Sequence, residues 1–123
     1  MVSRQDDGKS TLDLKIQGLT PFVDGARLLA LSNGIGACNT LERLQQLVEK
    51  KVIDEKDGAA YEEAYHFIQQ TRMQQHQAQA REGLPYSNRL DPETLNVLDR
   101  RILRESFRQA QRLQGSLAVR YQL

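Results

Sequence analysis

Few side chains in this 123-residue chain could bind a metal, attack a carbonyl or move a proton at neutral pH: one cysteine, Cys38, and two histidines, His66 and His76. A metal centre needs several His, Cys or carboxylate ligands whose spacing folds them onto one point. His66 and His76 have no carboxylate set placed to join them. They are expected on a helix surface or partly buried, not on a metal. Cys38 as a nucleophile needs a base, and neither histidine stands in a recognisable partnership with it. Gly34 and Gly36 could cradle a phosphate only if a strand led into them. A helical pattern precedes them, so they read as an inter-helix turn. The run RMQQH, from Arg72 to His76, resembles the Arg–His pair of some helical ribonucleases but is one residue too short. By these residues alone the chain holds no complete active site.

Two other groupings could bind. Arg101, Arg104, Arg108 and Arg112 recur at three- and four-residue spacing beside Arg100, so they share one helix face. With Glu105 among them they read first as a solvated face with internal ion pairs, and second as a docking surface for phosphates or an acidic partner. The other grouping is a stripe that begins apolar at Tyr61, Ala64, Tyr65 and Ile68 and continues polar through Thr71, Arg72, Gln75 and Gln79. Burying such a stripe requires that every polar group be hydrogen-bonded. A helix end that projects beyond the bundle and meets another domain is the simpler expectation.

The elements that would position these residues are mostly helical. Leu12, Leu14 and Ile16 alternate with Asp13, Lys15 and Gln17, the pattern of a strand with one covered face. No later segment reads as a second strand. A first helix is expected from about Pro21 to Asn33, capped by Thr20 and ended by Gly34. A second starts at Asn39, whose spacing to Glu42 resembles a capping box, and carries Leu41, Leu44, Leu47 and Val48. A third opens near Asp54 and stops at Gly83. A fourth starts in LDPET, with Asp91 as cap and Pro92 first, and turns inward Leu95, Leu98, Ile102, Leu103, Phe107, Ala110, Leu113, Leu117 and Tyr121. Two short and two long amphipathic helices predict an all-α, antiparallel four-helix bundle-like domain with a short N-terminal extended segment. Residues 1–10 are polar and aperiodic and are expected to be a flexible lead-in to a helical domain over 11–123.

Composition sets the remaining bounds. Charged residues are 27% and the formal net charge is +1, which gives no global reason to expect nucleic acid, an acidic substrate or a membrane surface. No apolar run approaches the ~18 residues of a spanning helix, and no signal peptide is visible. A single cysteine excludes an internal disulfide and suits a cytoplasmic protein.

The order of short motifs resembles the nucleotidyltransferase substrate-binding domain family. The matching positions are Asp13, Leu14, Lys15, Gly18, Leu19 and Pro21, then Arg27 and Ala30, then Asn39, Thr40, Arg43 and Leu44. They continue through Glu63, Ala64 and Phe67, Arg72 and Gln75, Asn88 and Pro92, to Arg100, Leu103, Leu113 and Gln114. The resemblance covers about residues 11 to 118. It implies the C-terminal helical domain of bacterial signal-transduction proteins with CBS modules, a cyclic-nucleotide-binding domain and a catalytic domain upstream, similar to protein-PII uridylyltransferases. The family's catalytic Gly-Ser turn followed by Asp-x-Asp is not found here, because Gly115-Ser116 has nothing acidic after it. The chain is therefore expected to be no enzyme by itself. Mg2+ and a nucleoside triphosphate are implied for the full-length protein only.

By the same likeness, the strand would be the last of the upstream catalytic sheet. Asp13 would be a third metal-site carboxylate, with Lys15 on the same face meeting phosphates. Arg72 and Gln75 would face the catalytic domain or a protein acceptor; Asn39, Thr40 and Arg43 would fix a turn beside the cleft. Arg104 and Arg108 are the further interface residues. A stand-alone oligomerisation module, such as a homodimer, is the alternative, and an RNA-binding bundle a more distant one.

Overall fold

The computed structural model describes residues 3–4 and 10–122. Three short strands, β1 (Ser3–Arg4), β2 (Ser10–Asp13) and β3 (Arg89–Leu90), form an antiparallel sheet in the order β1-β2-β3. The helices are α1 (Thr20–Ser32), α2 (Thr40–Glu49), α3 (Glu55–Arg81) and α4 (Val97–Tyr121). The expected four-helix, bundle-like all-α architecture is the one found. Most of the lead-in falls outside the described residues; of its backbone, Ser3 and Arg4 pair with Thr11 and Ser10.

The strand is shorter than its alternation suggests. Asp13 turns the chain: its Oδ1 accepts from the amides of Lys15 (2.9 Å) and Ile16 (2.7 Å), capping a single π-helical stretch, Leu14–Leu19. Leu14, Gly18 and Leu19 then face inward, while Ile16 is 67% exposed. The π stretch runs into α1 without a break, so Thr20 caps nothing and Leu19 precedes α1 with no side-chain cap. Nor does the strand lack partners. Leu12 lies opposite Leu90 and Asp13 opposite Arg89, with β1 on the other side.

One apolar core joins the π stretch to all four helices. Phe22, Leu14, Leu29, Leu44, Leu47, Ile68, Leu103 and Leu113 are its largest fully buried side chains. Gly18 permits the close approach: a Cβ there would lie 3.0 Å from Ile68 Cγ2 and 3.2 Å from Phe107. Helix ends follow local chemistry. Asn39 Oδ1 accepts from the Glu42 amide (2.9 Å) and opens α2, and Asp54 opens α3. At the end of α1, Ile35 N donates to Ala30 O (2.9 Å) across Gly34, whose φ is +70°. The same motif closes α2 with Lys51 in the left-handed position (φ 60°), Val52 N reaching Leu47 O (2.9 Å).

The start of the fourth helix also differs from expectation. Asp91 caps only a 3-10 turn, Pro92–Thr94; α4 opens afterwards, with Asn96 Oδ1 accepting from the Asp99 amide (2.8 Å). Leu95 is thereby outside the helix, and Leu98 and Ile102, expected inward, stand 65% and 37% exposed.

Candidate functional site

The polar half of α3 does not project into solvent. It is met by the chain's own return segment, residues 84–91. Arg72 Nε donates to Asn88 Oδ1 (2.8 Å), and His76 Nε2 lies 3.1 Å from the same oxygen. Gln75 Nε2 donates to the carbonyls of Ser87 (2.7 Å) and Arg89 (2.9 Å), while Gln79 Oε1 accepts from the Ser87 amide (3.0 Å). Thr71 satisfies itself on the Phe67 carbonyl (2.9 Å). The cost of a polar stripe is thus met by hydrogen bonds, and the Nε2 donors of Gln75 are spent within the chain. Asn88 is the hub: its carbonyl also accepts from the Leu14 amide (2.8 Å), tying α3 to the strand–helix junction.

Because Asn88 Oδ1 is already an acceptor for Arg72, a bond to His76 requires a proton on Nε2. Tyr86 stacks on the His76 ring, with centroids 5.0 Å apart and planes at 17°. Beside this stack lies a surface groove of about 540 Å³, lined also by Arg72, Met73, His66 and three glutamines. Among the described residues no carboxylate lines it. The histidines are as expected: His66 is exposed, His76 half-buried.

The other predicted residues are dispersed. Asp13 and Lys15 do not share a strand face, since the strand ends at Asp13; Lys15 is exposed on the π stretch. Across the strands Arg89 Nη1 donates to Thr11 Oγ1 (3.2 Å). No group of three His, Cys, Asp or Glu among the described residues could hold a metal ion, and Asp13 Oδ1 already serves two amides. By the resemblance the ion's other ligands lie in an upstream domain, so the described residues by themselves do not make the site. Asn39, buried Thr40 and Arg43 sit at the other end of α1, where Arg43 Nε braces the turn through the Ala37 carbonyl (3.0 Å).

Of the arginine row, Arg108 pairs with Glu105 (3.4 Å), Arg112 with Asp57 (3.1 Å) and Arg100 with Glu93 (3.6 Å). Arg101 and Arg104 are exposed without a partner among the described residues. The hydrogen bond that Arg112 donates to Asp57, then the Asp57 charge, raises the Arg112 pKa. Nearby, burial raises the Tyr61 phenol, reinforced by Asp57 and opposed by Arg112.

Sequence reasoning missed Tyr86 and the hub role of Asn88. The segment PYSN has no periodicity, and its partners on α3 lie eight to sixteen residues back along the chain. A proline-bounded aromatic facing a glutamine-rich helix end was the one available signal.

A helical bundle whose polar helix end is stapled to a small sheet is the architecture, and no group of three His, Cys, Asp or Glu among the described residues could hold a metal ion. The chain belongs to the family described as "Putative nucleotidyltransferase substrate binding domain", whose model matches residues 1–121. Comparison with curated proteins and with solved structures finds no match.

Proposed function

We propose that this chain is the non-catalytic accessory module of a bacterial, cytoplasmic nucleotidyltransferase of the uridylyl- or adenylyltransferase kind, in a protein carrying CBS and cyclic-nucleotide-binding modules. It follows an upstream catalytic domain, which uses Mg2+ and a nucleoside triphosphate, and it helps hold the acceptor, a protein. The observation that carries this reading is the family match over residues 1–121. The described helices span no membrane: none is long and apolar enough.

The test uses the reading frame from which the chain comes. With labelled nucleoside triphosphate, the full protein is expected to label its acceptor, and the same protein lacking these residues to lose that labelling. Equal labelling without them, or transfer by this chain alone, overturns the reading. Asp13→Asn isolates the proposed metal role, because Asn caps nearly as well as Asp. A loss of transfer with the fold intact places Asp13 at the catalytic centre of the full protein; unchanged turnover leaves it a helix cap. Self-association is the second reading, favoured by the exposed Val97 and Leu98 at the start of α4. A mass that rises with concentration and returns to that of a monomer in Leu98→Glu would support it.

A further inference from the structure

We infer that the groove between the middle of α3 and the return segment binds a nucleotide, with the base stacked on Tyr86 and the phosphate on Arg72. This goes beyond acceptor binding and stands without it. Tyr86 has one ring face on His76, yet the residue is 68% exposed, which leaves its other face open to a second planar group. A preformed aromatic stack of this kind accepts any base, because every base has a π-face. Arg72 supplies the second, independent element. Only its Nε is spent, on Asn88, so the guanidinium is held in place while both terminal nitrogens are unbonded among the described residues.

It is half-buried and has no ion-pair partner there, which leaves its charge less screened than a surface arginine's. A fixed guanidinium with two unspent donors matches a phosphate oxygen pair. The amides of Gln70 and Gln77 add donors and acceptors suited to base edges. With no carboxylate among the described lining residues, nothing there repels an anion, although the whole chain carries a net charge of only +1. The groove volume, about 540 Å³, lies in the range of small-ligand sites.

The experiment titrates the purified chain with AMP and UMP and follows the side-chain amides of Gln70 and Gln77 by NMR, with tyrosine fluorescence alongside. Saturable shifts of these amides and quenching of Tyr86 are expected. Tyr86→Ala is expected to weaken binding by about tenfold or more, and Tyr86→Phe to keep it within about twofold, since the phenyl ring still stacks. Tyr86 is exposed, and far-UV circular dichroism checks that both variants keep the fold. A six-nucleotide unpaired RNA separates the two sources of the same chemistry. Tighter, steeply salt-dependent binding assigns an RNA strand, and affinity equal to AMP assigns a free nucleotide. Absent amide shifts with either nucleotide, unchanged binding by Tyr86→Ala, or inorganic phosphate acting as strongly as AMP overturns the inference. Acceptor labelling by the full protein is a separate readout, so failure here leaves the family role standing.

Discussion

The two halves of α3 hold their neighbours by different means. The N-terminal half buries Tyr61, Ala64 and Ile68 against α1 and α4, with the Phe22 ring 6.2 Å from that of Tyr61. The C-terminal half, on the same side of the helix, presents Gln75 and Gln79 to backbone groups, and Arg72 to the Asn88 side chain, of a segment whose residues 84–87 are all exposed. Apolar burial is non-directional and is felt by the whole core. Amide-to-carbonyl bonds at a wet surface are directional and worth about 1 kcal/mol each. The first half therefore sets global stability, whereas the second sets where one segment lies.

That contrast can be broken at its strong end first. Phe22→Ala is expected to cost about 3–5 kcal/mol in urea unfolding, since the ring is fully buried. Asp13→Ala removes the carboxylate that two amides share and is expected to cost about 0.5–2 kcal/mol, with Asp13→Asn close to wild type. Gln75→Ala is expected to cost about 1 kcal/mol and to act locally. Hydrogen exchange at the Leu14 amide, bonded to Asn88, would quicken while the amides of α1 keep their protection. A loss as large as that of Phe22→Ala would erase the distinction between the halves.

Lys51→Gly is expected to stabilise by about 0.5–1 kcal/mol, because it relieves a left-handed backbone without touching either half. The last effect is alkaline. The Tyr61 pKa is raised in the folded chain, so above about pH 10 the unfolded chain binds fewer protons and stability falls as pH rises. Tyr61→Phe is expected to remove that part of the slope.

Where short-range chemistry decides, the sequence is legible. Asn39 with Glu42 three residues on, Asp54, and Gly34 and Gly83 each marked a helix end that the fold keeps. Two local signals were ambiguous. Leu12 and Leu14 fit a strand, but Leu14, Gly18 and Leu19 fit a helical turn equally well, and the Asp13 cap selects the turn. Asp91-Pro92 suits the start of a 3-10 turn as well as of an α-helix, and misplacing it by five residues sent Leu98 inward.

The site was less legible than the fold. Gln75 finds its acceptors twelve and fourteen residues away, and no periodicity encodes such pairs. Arg72 is singled out by the sequence, and its terminal nitrogens are unspent among the described residues; Gln75 is singled out as well, and its Nε2 donors are engaged by the Ser87 and Arg89 carbonyls. Asn39, Thr40 and Arg43 lie at the other end of α1, where Arg43 braces the turn.

The unbroken passage from β2 through the π stretch into α1 leaves the chain no slack between Asp13 and Ser32. The thirteen residues of α1 at 1.5 Å each span roughly 20 Å, and the six-residue π stretch lengthens them without a break. The little sheet and the turn that Arg43 braces are therefore joined by uninterrupted helical backbone, which fixes the spacing between the two ends of the molecule.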